Sequence, residues 1–393
     1  MPASRRQFIQ TTTAITALSY GRVLGANDRI RIAGIGCGGR ARHLLSIAAD
    51  LGAEIVAACD VYEPRLALTR EKIAPQAQTY TDYREALERK DVDGVIIGSP
   101  DHWHVPMTAD AMRAGKDVYV EKPISHTIEE GRELLKAAAG SRQVVQVGYQ
   151  QRSWDHFRHA RQIIAEGKLG KITLILASWY QAYAEFDPAA ADFQPAQLDW
   201  KRWLGSAPEQ PVSPVRYFRW RWFWDFGGGH LTDLYSHWGD TIHWFMDADP
   251  PHSAQAMGGS YAWKFAECPD TINAVWEYPG RFAVVYNGTL HCHLEGGTIV
   301  FRGDRAMMKI TRDGFAVYPE GIIARERTQY PEPEIQMRSL ADGTIAHVRN
   351  FLDGIRSRRE PNAPLASSVV AADAAHFGNL ALRQGRRLRR EEV

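Results

Sequence analysis

Asp233 and His237 have the residue types and the spacing needed to remove a proton from an alcohol. They stand four residues apart in a stretch, residues 227–240, in which three glycines precede a predicted helix. Positions i and i+4 share one helix face, so the carboxylate would orient the imidazole and raise its basicity. A histidine is the usual acceptor of a hydroxyl proton. An ordinary surface pair has the same spacing, and the spacing alone leaves that alternative open.

Lys122 lies at the C-terminal end of a predicted strand, in the sequence Val-Tyr-Val-Glu-Lys-Pro. In open parallel sheets, ligands bind beyond the C-terminal ends of the strands. An ammonium group there would stabilise the negative charge that develops on the oxygen of a reacting alcohol. The alternative is a surface lysine that closes the strand.

A glycine-rich turn near the N-terminus matches the pattern of a dinucleotide site. Residues 34–39 are Gly-Ile-Gly-Cys-Gly-Gly, after a predicted strand and at the start of a predicted helix. Asp60 ends the second strand about 20 positions on, where a carboxylate accepts hydrogen bonds from a ribose. It would repel a 2′-phosphate and so favours NAD, although Arg65 keeps NADP possible. The predicted cofactor residues here are Gly34, Gly36, Gly38, Gly39, Arg40 and Asp60.

Two patterns along the chain predict the elements that hold these residues. Up to residue 147, short apolar strands alternate with helices, which indicates βαβ units and a parallel sheet. Five later segments alternate at period two, which indicates a mostly antiparallel sheet; they are residues 173–179, 254–259, 271–278, 282–290 and 298–301. Helices are predicted within 345–382. The fold class is α/β, with a Rossmann domain over 27–149 and an α+β domain over 150–393 that binds substrate.

Composition and the N-terminus indicate where the protein works. The chain has 393 residues and a net charge of +1, so no electrostatic field favours nucleic acid. No run is long and apolar enough to span a bilayer. Residues 4–10, Ser-Arg-Arg-Gln-Phe-Ile-Gln, precede a weakly apolar stretch and small residues at 25–26, as in a twin-arginine signal. We expect residues 1–26 to be that signal, and the folded protein to be periplasmic or otherwise exported with its cofactor tightly bound.

The sequence resembles the Gfo/Idh/MocA family of oxidoreductases over nearly all of the chain after residue 26. The resemblance is carried by the glycine turn with Asp60, by Ser-Pro-Asp-His-Trp-His at 99–104, by Glu-Lys-Pro at 121–123, by Asp233 with His237, and by residues 347–358. It implies an NAD-dependent oxidoreductase that acts on a CH–OH group of a sugar, polyol or glycoside. It also implies a large open sheet in the second domain that joins subunits into a homo-oligomer.

The resemblance also implies a role for each matching residue. Lys122 would orient the substrate hydroxyl and touch the nicotinamide ribose. His237 would be the general base, and Asp233 would be its companion and also contact the substrate. The Lys122–Pro123 peptide bond would be cis. The residues implied to border the dinucleotide are Ser99, Pro100, His104 and, near its ribose, Glu121.

Further candidates for sugar contacts are aromatic or polar. Seven tryptophans lie between residues 200 and 244, and most of them are interpreted as core. Trp224, beside the glycines, and Arg152 are assigned to the substrate site. His291 and His293 have no third ligand at a convincing spacing, so no metal site is predicted.

Two other functions stay open on the sequence alone. A transient oxidation of a ring carbon would make the protein an NAD-dependent glycoside hydrolase or lyase with no net redox change. The other is a sugar-binding protein without catalysis. The trio of Lys122, Asp233 and His237 argues against that second alternative, because binding alone needs no such set.

Overall fold

A six-stranded parallel sheet is built from the first part of the chain. The computed structural model describes residues 29–184, 187, 190–320 and 331–393. The strand order is β3-β2-β1-β4-β5-β6, and neighbouring strands are parallel. This confirms the predicted Rossmann sheet, and its order reverses between β1 and β4, where a ligand crevice is expected. The strands are β1 (Arg31–Ile35), β2 (Glu54–Cys59), β3 (Gln78–Tyr80), β4 (Gly94–Ile97), β5 (Asp117–Val120) and β6 (Val145–Val147).

Helices connect these strands and bury their apolar sides against the sheet. They are α1 (Gly39–Asp50), α2 (Glu63–Lys72), α3 (Tyr83–Glu88), α4 (His104–Arg113) and α5 (Ile128–Ala138). Helix α5 begins after Thr127, whose hydroxyl accepts a hydrogen bond from the Glu130 N–H at 3.1 Å. Leu44 and Leu45 of α1 are fully buried against one face of the sheet, together with Ile32 of β1. The strands are therefore covered along their length, while their C-terminal ends stay free for a site.

The second sheet has nine strands in the order β14-β13-β12-β11-β7-β10-β9-β8-β15. Strands β7 and β10 are parallel, and the other neighbours are antiparallel. The predicted mostly antiparallel open sheet is confirmed. Its strands are β7 (Leu174–Tyr180), β8 (Ser253–Gly259), β9 (Thr271–Tyr278), β10 (Phe282–Thr289), β11 (Gly297–Arg302), β12 (Ala306–Thr311), β13 (Gly314–Pro319), β14 (Ile335–Arg338) and β15 (Leu388–Arg389).

Helices cover one face of this sheet, and the facing side chains form the largest apolar core. Trp238, Trp276 and Phe377 are fully buried in it. A π-helical segment, Leu231–Tyr235, leads directly into the helix that carries His237. The α-helices of this part are α6 (Asp155–Ala165), α7 (Trp200–Leu204), α8 (Pro214–Phe218), α9 (Ser236–Met246), α10 (Gly343–Ser357) and α11 (Leu365–Gln384).

The two C-terminal helices also pack against the Rossmann domain. Phe351 and Leu352 of α10 are buried in the same apolar cluster as Leu44 of α1. Val369 of α11 is buried in the cluster on the other side of the first sheet, with Leu134 of α5. The end of the chain therefore fixes the two sheets relative to each other.

Residues 190–226, the cover segment, lie against the nucleotide end of the first sheet. Leu198 forms an isolated antiparallel bridge with Tyr62, and the Asp199 N–H donates to the Val61 carbonyl at 2.9 Å. The Trp203 carbonyl lies 2.9 Å from the indole nitrogen of Trp103. A piece of the second part of the chain thus covers a surface that the first part would expose alone.

The predicted twin-arginine signal, residues 1–26, lies outside the described residues. Within the described ranges, no helix combines the length and the apolarity needed to cross a bilayer.

Candidate active site and nucleotide site

The glycine turn leaves room for a phosphate at the start of α1. Gly36 has φ +74°, and a Cβ there would lie 2.6 Å from the Ser99 backbone nitrogen, so this position needs glycine. Gly38 is the N-cap of α1 and offers no side chain to cap the first N–H groups. A Cβ at Gly39 would meet nothing within 4 Å. Free N–H groups at a helix N-terminus suit a pyrophosphate.

Asp60 and Ser99 have buried polar atoms with no protein partner. Asp60 Oδ1 accepts from the Tyr62 N–H at 2.9 Å, whereas its Oδ2 and the Ser99 hydroxyl have no hydrogen-bond partner within the described structure. Burial raises the pKa of Asp60, and the nearby Arg65 opposes that shift. Both Asp60 and Ser99, with Pro100, line a cavity of about 570 Å³. These orphaned atoms and the open glycine turn fit a dinucleotide.

Arg65, which kept NADP possible, is engaged by the cover segment. Its guanidinium carbon lies 4.6 Å from the centroid of the Tyr217 ring. Arg202 and Trp203 of the same segment line the 570 Å³ cavity. The adenosine end of the site is therefore enclosed by side chains from both parts of the chain.

Glu121 and His104, which the resemblance implied to border the dinucleotide, are both hydrogen-bonded to protein groups. Glu121 Oε1 accepts from Arg40 Nε at 2.8 Å. Burial alone would raise the pKa of Glu121, but the charge of Arg40 outweighs it and lowers that pKa. The ring nitrogens of His104 lie 2.6 Å from the Pro123 carbonyl and 3.0 Å from the Ser99 carbonyl. His104 therefore ties the nucleotide loop to the loop that holds Lys122, with no ring nitrogen left for a ligand.

Lys122 reaches from the first part of the chain to Asp233 in the second. The Lys122–Pro123 bond is cis, as the resemblance implied. Lys122 Nζ donates to Asp233 Oδ1 at 2.8 Å and also to the Asp233 carbonyl. Arg221 Nε donates to the same Oδ1 at 3.1 Å. Burial alone would raise the pKa of Asp233, but Lys122 and Arg221 together hold it well below its ordinary range.

His237 is oriented by Gln151 and not by Asp233, which corrects the sequence prediction. Its Nδ1 lies 3.0 Å from Gln151 Oε1, and its ring stacks on Trp179 with centroids 5.5 Å apart. Asp233 lies in the π-helical segment that leads into α9. Its carboxylate is bonded to Lys122 and Arg221, which leaves the imidazole to Gln151.

Burial and neighbouring cations together set the charge state of His237. Burial lowers its pKa well below the ordinary value of 6.5, and the charges of Lys122, Arg312 and Arg40 lower it further. The imidazole is therefore neutral at neutral pH. With Nδ1–H donating to Gln151, its Nε2 carries the lone pair that can accept a proton.

The two residues assigned to sugar contacts on sequence grounds have other surroundings in the structure. Arg152 is 4% exposed and donates from Nε and Nη2 to Asp240, at 2.7 to 2.9 Å. Trp224 lines a different pocket, together with His126 and Arg383. Arg152 thus forms a buried ion pair with Asp240, and the aromatic rings beside the imidazole are those of Trp179 and Tyr149.

Sequence reasoning missed four side chains of this site: Gln151, Trp179, Arg221 and Arg312. Trp179 was predicted only as the end of a strand. Arg312 lies in a hairpin between β12 and β13 that was not predicted at all. Arg221 lies between two tryptophans of the cover segment, a pattern that indicates core packing and not a charged site. Their convergence depends on tertiary contacts that no local spacing encodes.

Comparison with known families agrees with this geometry. Residues 29–149 match the family described as "Oxidoreductase family, NAD-binding Rossmann fold". Residues 157–309 match the "GFO/IDH/MocA C-terminal domain". The chain belongs to the Gfo/Idh/MocA oxidoreductase family. Its first domain is the family's NAD-binding Rossmann domain.

Individual relatives show how far the similarity extends. Inositol 2-dehydrogenase of Salmonella typhimurium (strain LT2) is 31% identical over 153 residues, 38% of this chain and 45% of that protein. The match thus spans less than half of that relative. An uncharacterized oxidoreductase of Synechocystis sp. is 27% identical over 375 residues, 88% of this chain and 92% of the other.

A solved structure supports the fold over most of the chain. The WlbA dehydrogenase from Bordetella pertussis, in complex with NADH and UDP-GlcNAcA, superposes with a TM-score of 0.69 at 18% identity. The superposition covers 92% of this chain and 98% of that one. At this identity, the likeness shows that the two chains share the fold.

Proposed function

We propose that this protein is an NAD-dependent oxidoreductase that oxidises or reduces a CH–OH carbon of a sugar or polyol. The observation that carries the proposal is the ion pair between Lys122 and Asp233, with Nζ 2.8 Å from Oδ1. It brings an ammonium from the Rossmann domain into the surroundings of His237, just beyond the C-terminal end of β5. That edge of a parallel sheet is where nucleotides bind. The similarity to an inositol 2-dehydrogenase supports a polyol-like substrate.

The side chains divide the proton chemistry between them. His237 would accept the proton of the reacting hydroxyl at Nε2, since Gln151 holds its Nδ1–H. Lys122 has three N–H donors. Two of them are used by Asp233, and the third would donate to the hydroxyl oxygen and stabilise its developing charge. Bound NAD supplies the hydride acceptor or donor.

Export through the twin-arginine route is part of the same proposal. The arginine pair at residues 5 and 6, followed by a weakly apolar stretch, supports it. Proteins that use this route are already folded, so NAD would travel bound and the enzyme would work in the periplasm or outside the cell. The cover segment supports tight binding because its Arg202 and Trp203 line the nucleotide cavity.

The outer face of the second sheet supports assembly into a homo-oligomer. Four apolar residues are neighbours in register across strands β9, β10, β7 and β11: Val275, Val285, Leu176 and Val300. Val275 is 44% exposed. This apolar row crosses four strands on the face that lies away from the buried core. Val285, Leu176 and Val300 are half-buried, and a contiguous apolar row that is open to solvent on one side is typical of a subunit interface.

The decisive test is to release and identify the nucleotide of the purified protein, then to screen sugars and polyols for reduction of the bound NAD. We expect His237→Ala to retain the nucleotide and to lose about 10²- to 10⁴-fold in rate, the usual contribution of a general base. The exposed His293 provides the matched control, since His293→Ala should keep full activity. If no sugar or polyol reduces the nucleotide, the proposal fails. Cleavage of aryl glycosides without net NADH would favour the redox-neutral hydrolase or lyase instead.

A further inference from the structure

Arg312 lies in the turn between β12 and β13 and is held against Trp179, the ring that stacks on His237. Its guanidinium carbon is 4.7 Å from the centroid of the Trp179 ring and 5.9 Å from that of Trp154. Trp179 in turn stacks on His237. Two indole rings therefore fix the guanidinium close to the reacting position, and cation–π contacts of this kind orient an arginine well.

No carboxylate within the described structure forms an ion pair with this cation. Arg312 Nε is buried and has no hydrogen-bond partner there. The two carboxylates that attract it electrostatically are Asp233 and Asp342. Asp233 is bonded to Lys122 and Arg221. Asp342 caps α10, accepting from the Thr344 N–H at 2.7 Å.

The surroundings of Asp233 carry an excess of positive charge, because burial raises the pKa of the nearby Asp101 well above its ordinary value and disfavours its charged form. Lys122, Arg221 and Arg312 all act on this one carboxylate. Burial, together with the charge of Arg40, lowers the pKa of Arg312 to about 10, so the side chain remains charged at neutral pH. A buried cation without a counter-ion is costly. An uncharged sugar would leave that excess in place, whereas an anionic substrate would neutralise it.

We propose that the substrate is a sugar acid, and that Arg312 binds its carboxylate and thereby determines specificity. This inference rests on the proposed function, since it places the substrate at His237. A guanidinium presents two parallel N–H donors that match the two oxygens of a carboxylate. Arg312 is held at Trp179 and His237, whereas the groups suited to the phosphates of NAD lie at the start of α1. The anion that Arg312 binds is therefore assigned to the substrate and not to the phosphates of the cofactor.

Binding to the NAD-loaded protein tests the inference without requiring turnover. Isothermal titration would compare three pairs of probes: D-glucuronate with D-glucose, D-galacturonate with D-galactose, and D-mannuronate with D-mannose. We expect at least one uronate to bind about 10-fold or more tightly than its neutral partner. Arg312→Gln should remove about 10- to 100-fold of that affinity, the range for one charge-assisted hydrogen bond. The exposed Arg305, at the other end of β12, gives the control Arg305→Gln, which should keep the preference.

Three results would overturn the inference: no uronate binds better than its neutral partner, Arg312→Gln keeps the preference, or Arg312→Gln releases the bound NAD while the preference stays. The last result would assign the guanidinium to the cofactor's phosphates. A uronate that binds through Arg312 but never reduces the nucleotide would support this inference and count against the dehydrogenase proposal, so the two failures are distinguishable.

Discussion

At the scale of single residues, the acid and the base predicted as one pair serve different partners. Asp233 is neutralised by Lys122 and Arg221, and its role is to hold the lysine. His237 takes its orientation from the uncharged Gln151. A carboxylate partner would raise the basicity of the imidazole, whereas an amide fixes the tautomer and leaves the pKa low. The histidine is therefore kept neutral, ready to accept a proton.

The pH dependence of the rate follows from that low pKa. As the proposed general base, His237 would act in its neutral form, which is lost only as the pH falls through its pKa, and that pKa lies well below 6.5. We expect kcat/KM to stay level from neutral pH to below pH 6.5. Gln151→Glu would place a carboxylate beside Nδ1 of His237 and raise the pKa of the imidazole. The acidic limb of the profile should therefore move to higher pH. An unchanged limb in Gln151→Glu would contradict the role assigned to Gln151.

Two glycines of the nucleotide turn should respond differently to a methyl group. Gly36→Ala would force a Cβ to 2.6 Å from the Ser99 nitrogen at a positive φ, whereas a Cβ at Gly39 meets no neighbour. We expect Gly36→Ala to destabilise the nucleotide-free protein by about 1–3 kcal/mol, as strained backbone does. Thermal unfolding would measure this, with Gly39→Ala as the matched control that unfolds like the parent. Equal unfolding of the two variants would count against the close approach seen at Gly36.

At the scale of elements, the sequence predicts strands well where side chains alternate strictly between core and surface. Strand β9 does so in every residue, and its predicted bounds, Thr271–Tyr278, are those observed. Strand β12 begins with three consecutive buried residues, which hides its period. Strand β14 has no buried residue, and β15 has only two residues. These strands are defined by their neighbours in the sheet, so local pattern could not find them or Arg312 in the turn before β13.

The buried pair of Arg152 and Asp240 joins the turn after β6 to helix α9. Both side chains are nearly inaccessible to solvent. Arg152→Met would leave Asp240 charged and unpaired, so we expect a loss of about 3–5 kcal/mol in the free energy of unfolding. Adding Asp240→Leu should recover much of that loss, because the uncompensated charge is then removed. Denaturant titration measures both. A change in KM with full stability would instead support the substrate role first assigned to Arg152.

At the scale of the whole molecule, the site exists only because two sheets and the C-terminal helices are fixed together. The glycine turn and Asp60 could be proposed from the sequence because they follow strands at a spacing that a nucleotide requires, and Lys122 because it ends a strand in a motif that the family shares. Gln151, Trp179 and Arg312 carry no such spacing. They reach His237 through packing between elements far apart in the chain. The part of the site proposed to bind cofactor is thus encoded locally, and the part proposed to select substrate is not.

The apolar row on the outer sheet predicts a change in assembly. Val285→Lys would place a charge in the middle of the row formed by Val275, Leu176 and Val300, so we expect an oligomer to dissociate to monomers. Light scattering coupled to gel filtration measures the mass. Leu340 is 88% exposed and lies outside the row, so Leu340→Lys should keep the parent mass. A parent protein that is already monomeric would rule out this interface.

The bridge between Tyr62 and Leu198 has a kinetic consequence. The cover segment is bonded to the first domain through main-chain groups, so it must move away before bound NADH can exchange for NAD. We therefore expect a ping-pong mechanism, in which the nucleotide stays bound and a second substrate re-oxidises the same NADH after the first product has left. Initial-rate plots for the two molecules would then be parallel lines, and adding free NAD to the assay would leave the turnover number unchanged.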